Sequence, residues 1–415
     1  MTAPAFQASP SGRPTTPLLA PTLALLLVAI GGSYTLDRAG LSALAWLDLR
    51  VVGLAVALPL VWLDVRQVRR LPADRRRPEG WLIAAMVFFL FQIASAAWAP
   101  PGARVGADAL DIICMGLLTV ALYLHARENP RVVARRLLWF LWGTGVVFGL
   151  GALLLTGAGA QGRFAAFGGG PNVFVRIEML AMLAVAALVI TGARRALLWS
   201  VPLFGVCAVL SGSRGGLVAG ILVGLAAALV GGRRARRIAL TAMVGVCASV
   251  AVAYVVSPTV ANVIQTRFVQ QTTQQGYDSS RRTVWRQAAE LATQHPLAGS
   301  GLDGFYALIG TTTGIEYPHN YVLAVAAEGG VLGLALFSIT LALWVRTIRT
   351  APLRDVETAA LVAAAAYIAV ASLFSGNYYD SRLAWCCAAV AAAMVVHGRQ
   401  AAEPDPVLSD SAAVR

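Results

Sequence analysis

The 415-residue sequence contains no lysine, so arginine provides all 33 of its basic residues. Charged residues are scarce, at 13% of the sequence against 58% hydrophobic residues, and this excludes an ordinary water-soluble domain. The short alternating strands of a membrane barrel are also lacking. Apolar runs of about 20 residues, long enough to cross the hydrocarbon core as helices, instead recur from end to end. The sequence therefore predicts an all-α, polytopic membrane protein.

We expect about twelve transmembrane helices. Their approximate bounds are 17–36, 41–63, 81–99, 108–125, 137–157, 172–191, 196–211, 215–232, 238–257, 319–345, 356–374 and 383–397. Residues 17–257 thus hold helices 1–9, residues 258–318 form one large loop, and residues 319–397 hold helices 10–12. The polar segments 1–16 and 398–415 are expected to be a disordered N-terminus and a disordered tail.

Arginine clusters occupy alternate connections, and by the positive-inside rule those connections are cytoplasmic. The clusters lie at 66–77, 127–136, 194–195, 233–237 and 346–354. Both termini are then inside and the loop 258–318 is outside, on the periplasmic side. Topology accounts for the net charge of +13, so we expect no nucleic-acid partner.

Two absences restrict the chemistry of the outer face. The large loop has no cysteine, because all five lie within apolar runs, and this excludes a disulfide framework or a CxxC metal site there. No DxD or ExD carboxylate pair, which would bind a divalent ion, occurs on the predicted outer face. The sequence therefore predicts no cofactor and no metal.

Arginines on the outer face run against the positive-inside bias and suggest an anionic partner. They are Arg163, Arg214, Arg267, Arg281, Arg282 and Arg286, and Arg176 lies just inside a span. Arg214, in SGSRGG, is either an anion clamp or an arginine that snorkels at a hairpin tip. Arg281 and Arg282 follow the N-cap candidates Asp278 and Ser279, so they belong either to a helix N-terminus suited to phosphate or to a solvated helix face.

Two further segments carry polar candidates. In GRFAAFGGGPN, Arg163 and Asn172 flank a Gly-Pro turn, and Arg176 lies on the same helix face as Asn172. In YPHNYVLAVAAEGG, His319 and Asn320 open an apolar helix that also carries Glu328. Glu328 is too far along that helix to orient the imidazole, and we expect it to pair an inward arginine or to cap a neighbouring helix. The glycines at 329, 330 and 333 predict close helix packing, and AGSGLDGF predicts a tight turn that folds the outer helix over the membrane.

In this order, GRFAAFGGGPN, SGSRGG, SSRRTVWRQAAELATQHPLAGSGLDGF and PHNYVLAVAAEGGVLG resemble the O-antigen ligase and polymerase superfamily. The resemblance implies a GT-C-like glycosyltransferase of the bacterial inner membrane. Such an enzyme moves a polysaccharide from undecaprenyl diphosphate to a hydroxyl of the lipid A core at the periplasmic face. It also implies that Arg214 and Arg281 hold the diphosphate and that His319 is catalytic. Arg282 stands where the family has an apolar residue.

The chemistry itself indicates a metal-independent, inverting transfer, because arginines can stabilise a diphosphate leaving group and a histidine can accept the acceptor's proton. Within the same class, an O-antigen polymerase or a protein O-oligosaccharyltransferase would share the donor and differ in the acceptor. A transporter of an organic anion is the alternative from another class. The two halves show no repeat and the candidates cluster at one face, so a transporter is disfavoured.

Overall fold

The computed structural model describes residues 19–31, 36, 40–68, 79–127, 129–159, 162–167, 169–230, 232–274, 281–349 and 355–402. The predicted N-terminal segment 1–16, the N-cap candidates Asp278 and Ser279, and residues 403–415 lie outside the described residues. Residues 398–402 continue the last helix, past the predicted start of the tail at residue 398. The helical pattern of that run extends one turn further than its apolar residues.

The described residues are helical throughout, apart from connections and one isolated bridge between Ala158 and Phe164. In chain order the helices are α1 (Leu19–Ile30), α2 (Leu49–Val68), α3 (Gly80–Ala94), α4 (Val105–Ala126), α5 (Pro130–Gly151), α6 (Pro171–Ile190), α7 (Val201–Leu210), α8 (Arg214–Val230), α9 (Arg233–Val256), α10 (Pro258–Val263), α11 (Arg281–Gln294), α12 (Thr311–Thr313), α13 (Tyr321–Ile348), α14 (Val356–Ser375) and α15 (Arg382–Ala402). A π-helical segment, Ile264–Gln274, continues α10.

Seven helices are long and apolar enough to cross a membrane among the residues described. They are Gly80–Trp98, Val105–Ala126, Pro130–Thr156, Pro171–Ile190, Arg236–Val256, Tyr321–Ile348 and Val356–Ser375. The protein is thus a multi-pass helical membrane protein, as the sequence predicted. Each of the twelve predicted apolar runs overlaps a helix. The number twelve stays a prediction, because the remaining helices are shorter or less apolar.

The main core lies where α1, α2, α4, α5, α14 and α15 meet. Small side chains make this close packing possible: in α15, Ala389, Val390, Ala391 and Ala392 are fully buried. By contrast, the apolar window of α9 has no buried residue, so its side chains are available to lipid. Four of the five cysteines are buried and pack between helices, whereas Cys247 is exposed on α9.

Helix α13 is broken at Gly330, whose φ of 60° and ψ of −157° are open only to glycine. The loop that follows α11 fills the break. The amides of Ser300 and Gly301 donate to the carbonyls of Ala327 and Glu328 at 2.9 and 3.0 Å. Beyond the break, the amide of Val331 donates to the Pro296 carbonyl at 2.8 Å. Backbone groups that the break releases are therefore satisfied by the loop, as an apolar surrounding requires.

The sequence interpreted AGSGLDGF as a surface turn, and the structure shows a deeper role. A Cβ on Gly299 would lie 2.2 Å from the carbonyl carbon of Glu328, so only glycine allows this approach. Gly329 and Gly333 face Phe91 on α3, which confirms the expected close helix packing. The loop between α11 and α13 is consequently fixed against the membrane-embedded helices, and with it the position of His319.

Candidate active site

Arg163 and Asn172 tie the connection between α5 and α6 to the turn that precedes α8. The Arg163 side chain donates from Nε to the Ser211 carbonyl at 2.8 Å and from Nη2 to Asn172 Oδ1 at 3.2 Å. The same amide oxygen accepts a hydrogen bond from Ser213 Oγ at 2.8 Å. The motifs GRFAAFGGGPN and SGSRGG, 48 residues apart at Arg163 and Ser211, thus form one site.

Gly212, in the turn before α8, lies against two arginine side chains. Its φ of 60° is left-handed, and a Cβ there would lie 3.4 Å from Arg163 Cγ and 3.3 Å from Arg267 Cγ. Arg267 belongs to the π-helical segment after α10 and is 4% exposed. Its Nη1 donates to Gln271 Oε1 at 2.7 Å. Sequence reasoning placed Arg267 on the outer face but left it out of the site.

A cluster of four arginines results. Burial lowers the pKa of Arg163 to about 10, and the charges of three neighbouring arginines act in the same direction. These neighbours are Arg267, Arg281 and Arg214. Arg163 therefore remains protonated at neutral pH, and an anion bound there would relieve the mutual repulsion. We call these four residues the arginine cluster.

Helix α11 brings Arg281 to the cluster at its first residue. The helix rests on Val284, Ala288 and Leu291, which are buried, while Trp285 is only half-buried. The helix that the sequence predicted after the N-cap candidates is therefore present, and its buried face consists of these three residues. Arg282, the next residue, is exposed. Of the arginine pair, Arg281 is thus the one that the structure brings to the other candidates.

Arg286 does not join the site. Its side chain is 71% exposed and its Nε lies 3.7 Å from Glu290 Oε1, one turn along α11. An exposed pair of this kind contributes little to stability. Arg286 therefore belongs to the solvated face of the helix, the alternative that the sequence left open for this segment.

His319 lies before α13 and not on it, which corrects the predicted start at residue 319. The helix begins at Tyr321, and Asn320 caps it by accepting the amides of Val322 and Leu323 at 3.0 and 3.2 Å. Asn320 thus has a structural task. His319 has a φ of 56°, which is uncommon for a residue other than glycine. Its ring packs edge-on against the ring of Tyr317, with 4.5 Å between the two ring centres.

The imidazole of His319 is close to the arginine cluster. Burial lowers its pKa to about 4, and the positive charge of Arg281 acts in the same direction. Glu316 opposes this shift. The ring is therefore neutral at physiological pH, with a nitrogen available to accept a proton.

Glu328 has a different partner from the one expected. It is buried in α13, and its Oε2 accepts a hydrogen bond from the Tyr378 hydroxyl at 2.7 Å. The prediction that it pairs an inward arginine is wrong, because Tyr378, in the connection between α14 and α15, occupies that position. Glu328 also lies next to the break at Gly330, and its carbonyl accepts the Gly301 amide. Its visible role is to support the loop.

Arg176 and Asn172 lie on the same face of α6, as predicted, and both reach Ser375 at the end of α14. Asn172 Nδ2 donates to Ser375 Oγ at 2.5 Å and Arg176 Nη2 donates to the Ser375 carbonyl at 2.7 Å. Arg176 is buried within the span. These bonds fix the outer end of α14 beside the arginine cluster.

Arg104 was overlooked in the sequence, although it lies on an outer connection like the other arginines. Its backbone amide and Nε donate to Asp303 Oδ2 at 2.7 and 3.1 Å. Asp303 is fully buried, with a φ of 58°. The pair joins the start of α4 to the loop that leads from α11 to α13 and so to His319.

The site combines positive charge with a neutral imidazole at one end of the helices. Guanidinium groups match phosphate oxygens through paired hydrogen bonds. Within the described residues no group of three His, Cys, Asp or Glu side chains could hold a metal ion. Such a site in a multi-pass membrane protein is suited to an anionic substrate.

Residues 199–338 match the family model described as O-antigen ligase, which confirms the resemblance seen in the motifs. The matched segment contains Arg214, Arg267, Arg281 and His319. No curated protein sequence matches the chain. This match supports a glycosyltransferase-like ligase or polymerase activity on lipid-linked polysaccharide.

Proposed function

We propose that the protein is an O-antigen ligase of the bacterial inner membrane, acting at the periplasmic face in lipopolysaccharide biosynthesis. It transfers a polysaccharide from undecaprenyl diphosphate to a hydroxyl of the lipid A-core acceptor. The transfer is metal-independent and inverts the anomeric configuration. The observation that carries the proposal is the arginine cluster beside the neutral imidazole of His319.

The arginine cluster is suited to a diphosphate. As the bond between the anomeric carbon and the diphosphate oxygen breaks, the leaving group takes the electron pair and its negative charge grows. Four guanidinium groups already held in place stabilise that charge without reorganisation. Arg163 is fixed by Ser211 and Asn172, and Arg281 lies at a helix N-terminus, where backbone amides favour phosphate.

His319 is suited to be the general base. The acceptor oxygen forms the new bond to the anomeric carbon, its proton passes to an imidazole nitrogen, and undecaprenyl diphosphate leaves. General-base help of this kind typically contributes a factor of about 10²–10⁴. The acceptor oxygen attacks the anomeric carbon directly, from the face opposite the diphosphate, and the anomeric configuration therefore inverts. Arg282 and Arg286, both exposed, are assigned no contact with the reacting groups.

The test uses the full chain in lipid nanodiscs with undecaprenyl-diphosphate-linked polysaccharide and lipid A-core. We expect polymer-bearing core on gels, undiminished by a chelator, with an inverted linkage by NMR. Loss of transfer in chelator that is restored by magnesium would disprove metal independence. Absence of any transfer would disprove the proposed activity.

A deletion strain separates the related activities. For a ligase, lipid A-core should persist without polymer while undecaprenyl-linked polymer accumulates. Core that carries a single repeat unit would indicate a polymerase, and polymer found on a protein would indicate an O-oligosaccharyltransferase. Counterflow of a soluble anion in proteoliposomes without added lipid donor would indicate a transporter.

A further inference from the structure

His319 has a second set of neighbours besides the arginine cluster. Tyr317 packs its ring edge-on against the imidazole at 4.5 Å. Glu316 is near enough that its negative charge opposes the effect of Arg281 on the pKa of His319. Glu316 is also 65% exposed, so its carboxylate faces solvent beside the imidazole. Positive and negative groups are thus both present at the ring.

Glu316 contacts Arg104, whose side chain is itself positioned by two other residues. Arg104 is fixed to the buried carboxylate of Asp303, and its guanidinium lies 3.6 Å over the ring of Tyr306. From there its Nη1 reaches Glu316 Oε1 at 3.5 Å. An exposed contact of this length is weak by itself. It involves one oxygen of Glu316, Oε1, on the side of Arg104.

The backbone also directs this segment toward His319. Gly310 lets the chain fold back, because a Cβ there would lie 2.5 Å from the Ile315 carbonyl oxygen. Gly314, with a left-handed φ of 71°, then ends α12. The hydroxyls of Thr311, Thr312 and Thr313 donate to carbonyls of the preceding turn. The fold-back leaves Glu316 and Tyr317 as the side chains presented next to the imidazole.

Building on the proposed function, we propose that Glu316 and Tyr317 bind the acceptor, a polyhydroxylated sugar ring with no anionic group beside its reacting hydroxyl. A carboxylate only accepts hydrogen bonds, which suits the hydroxyls of a sugar. The tyrosine ring offers an apolar face and a polar tip to the same ring. The acceptor hydroxyl then lies between this segment and the donor, with its proton directed to His319.

The charges of the two regions determine which substrate binds to which: the donor to the arginine cluster and the acceptor to Glu316 and Tyr317. A diphosphate near Glu316 would be repelled, whereas the arginine cluster attracts it. For the same reason a phosphate on the acceptor ring, next to the reacting hydroxyl, would be disfavoured by Glu316. The segment Glu316–Tyr317 should therefore govern acceptor affinity and the choice between neutral and phosphorylated acceptors, and leave donor affinity unchanged.

The experiment measures transfer by the full chain in nanodiscs, with acceptor varied at saturating donor and donor varied at saturating acceptor. The acceptors are two lipid A-core glycolipids, with and without phosphate on the outer sugars. The variants are Glu316→Gln and Tyr317→Ala, and Glu290→Gln, at an exposed carboxylate on α11, is the control. We expect both variants to raise the acceptor KM at least about fivefold, the loss of one good hydrogen bond or ring contact. The donor KM should stay within about twofold, which also reports correct folding.

Glu316→Gln should in addition raise the relative turnover of the phosphorylated acceptor, because the repelling charge is gone. An unchanged acceptor KM in both variants, or a donor KM that rises instead, would overturn the inference. If wild-type protein transfers no polysaccharide from any lipid-linked donor, the proposed function fails first and this inference fails with it. If wild type is active and Glu316→Gln prefers acceptors as wild type does, only the charge selection fails.

Discussion

Arg163 and Arg267 both pack against Gly212, each with its Cγ within 3.4 Å of the position that a Cβ would occupy. The two side chains come from different connections, one before α6 and one after α10, and both come close to residue 212 because it has no side chain. The turn SGSRGG therefore provides room for the side chains of Arg163 and Arg267, and it also contains the start of α8. This relationship gives the first prediction.

Gly212→Ala should reduce transfer by up to about tenfold, since even small displacements of positioned groups in a charged site are costly. The methyl group would lie 3.3 Å from Arg267 Cγ and 3.4 Å from Arg163 Cγ, so the arginine side chains would have to shift by a few tenths of an ångström. Its left-handed backbone also costs about 1–2 kcal/mol of stability. Gly192→Ala is the matched control, because Gly192 has a φ of 108° with nothing within 4 Å. Transfer rate and thermal unfolding in detergent are measured for both.

The control should lose stability and keep its transfer rate per folded molecule. Equal rates in Gly212→Ala and Gly192→Ala would mean that the spacing of Arg163 and Arg267 does not matter to the reaction.

Replacing Arg214 or Arg281 by Lys should lower transfer at least about tenfold, equivalent to about 1.4 kcal/mol. The charge is kept, but the planar fork that matches phosphate oxygens is lost. Arg286→Lys, on the exposed face of the same helix as Arg281, is the control and should behave as wild type. Activity is compared in membranes with equal protein levels. Full activity in both Lys variants would reduce these arginines to structural or topological roles.

The sequence indicated most of this site because arginines on an outer face stand out against the positive-inside bias. Membership of the cluster was harder to predict. Nothing in the sequence shows that Arg267 and Arg163 meet across Gly212, since that contact depends on the π-helical segment after α10. Arg104 did carry a signal, its place on an outer connection, but its role depends on the buried Asp303, 199 residues away.

His319→Ala and His319→Gln should both lose transfer by about 10²-fold or more while donor binding is retained, as expected for a general base. Gln can donate and accept hydrogen bonds but cannot take up a proton at neutral pH. His295→Ala, at the exposed end of α11, is the control. Turnover and binding of the lipid donor are measured in the same membranes. Near-normal turnover in both variants would remove His319 from the mechanism.

Gly330→Ala should destabilise the protein by at least about 2 kcal/mol, because the glycine-only conformation and a forced backbone contact both act against it. Its Cβ would lie 2.5 Å from the carbonyl oxygen of Leu297. Gly245→Ala, on α9 with nothing within 4 Å, is the control and should be neutral or slightly stabilising. Thermal unfolding in detergent measures both. A Gly330→Ala protein as stable as the control would show that the loop does not depend on this break.

The break at Gly330 also shows where sequence reasoning stops. Paired glycines in an apolar helix indicate close packing, and Gly329 does pack against Gln92 and Phe91 of α3. The loop of residues 296–301 forms hydrogen bonds at the break in α13, and this arrangement depends on tertiary contacts that the sequence does not show. The partner of Glu328 was missed for the same reason, because Tyr378 lies 50 residues further along the chain. Segments and faces could be predicted, whereas contacts between them could not.

The pH profile tests the electrostatic link between His319 and the arginine cluster. Without substrate, burial and Arg281 hold the pKa of His319 near 4, so the imidazole is neutral above about pH 5. The acid limb of kcat/KM, which reports the free enzyme, should therefore fall near pH 4. A bound diphosphate adds negative charge, which favours the imidazolium form and raises the pKa. The acid limb of kcat, which reports the complex, should lie at higher pH. Arg281→Gln should move the acid limb of kcat/KM to higher pH, because one cause of the lowered His319 pKa is removed. An acid limb that does not move in this variant would contradict the electrostatic link between His319 and Arg281. Acid limbs of kcat and kcat/KM that coincide in wild type would contradict the effect of the bound diphosphate.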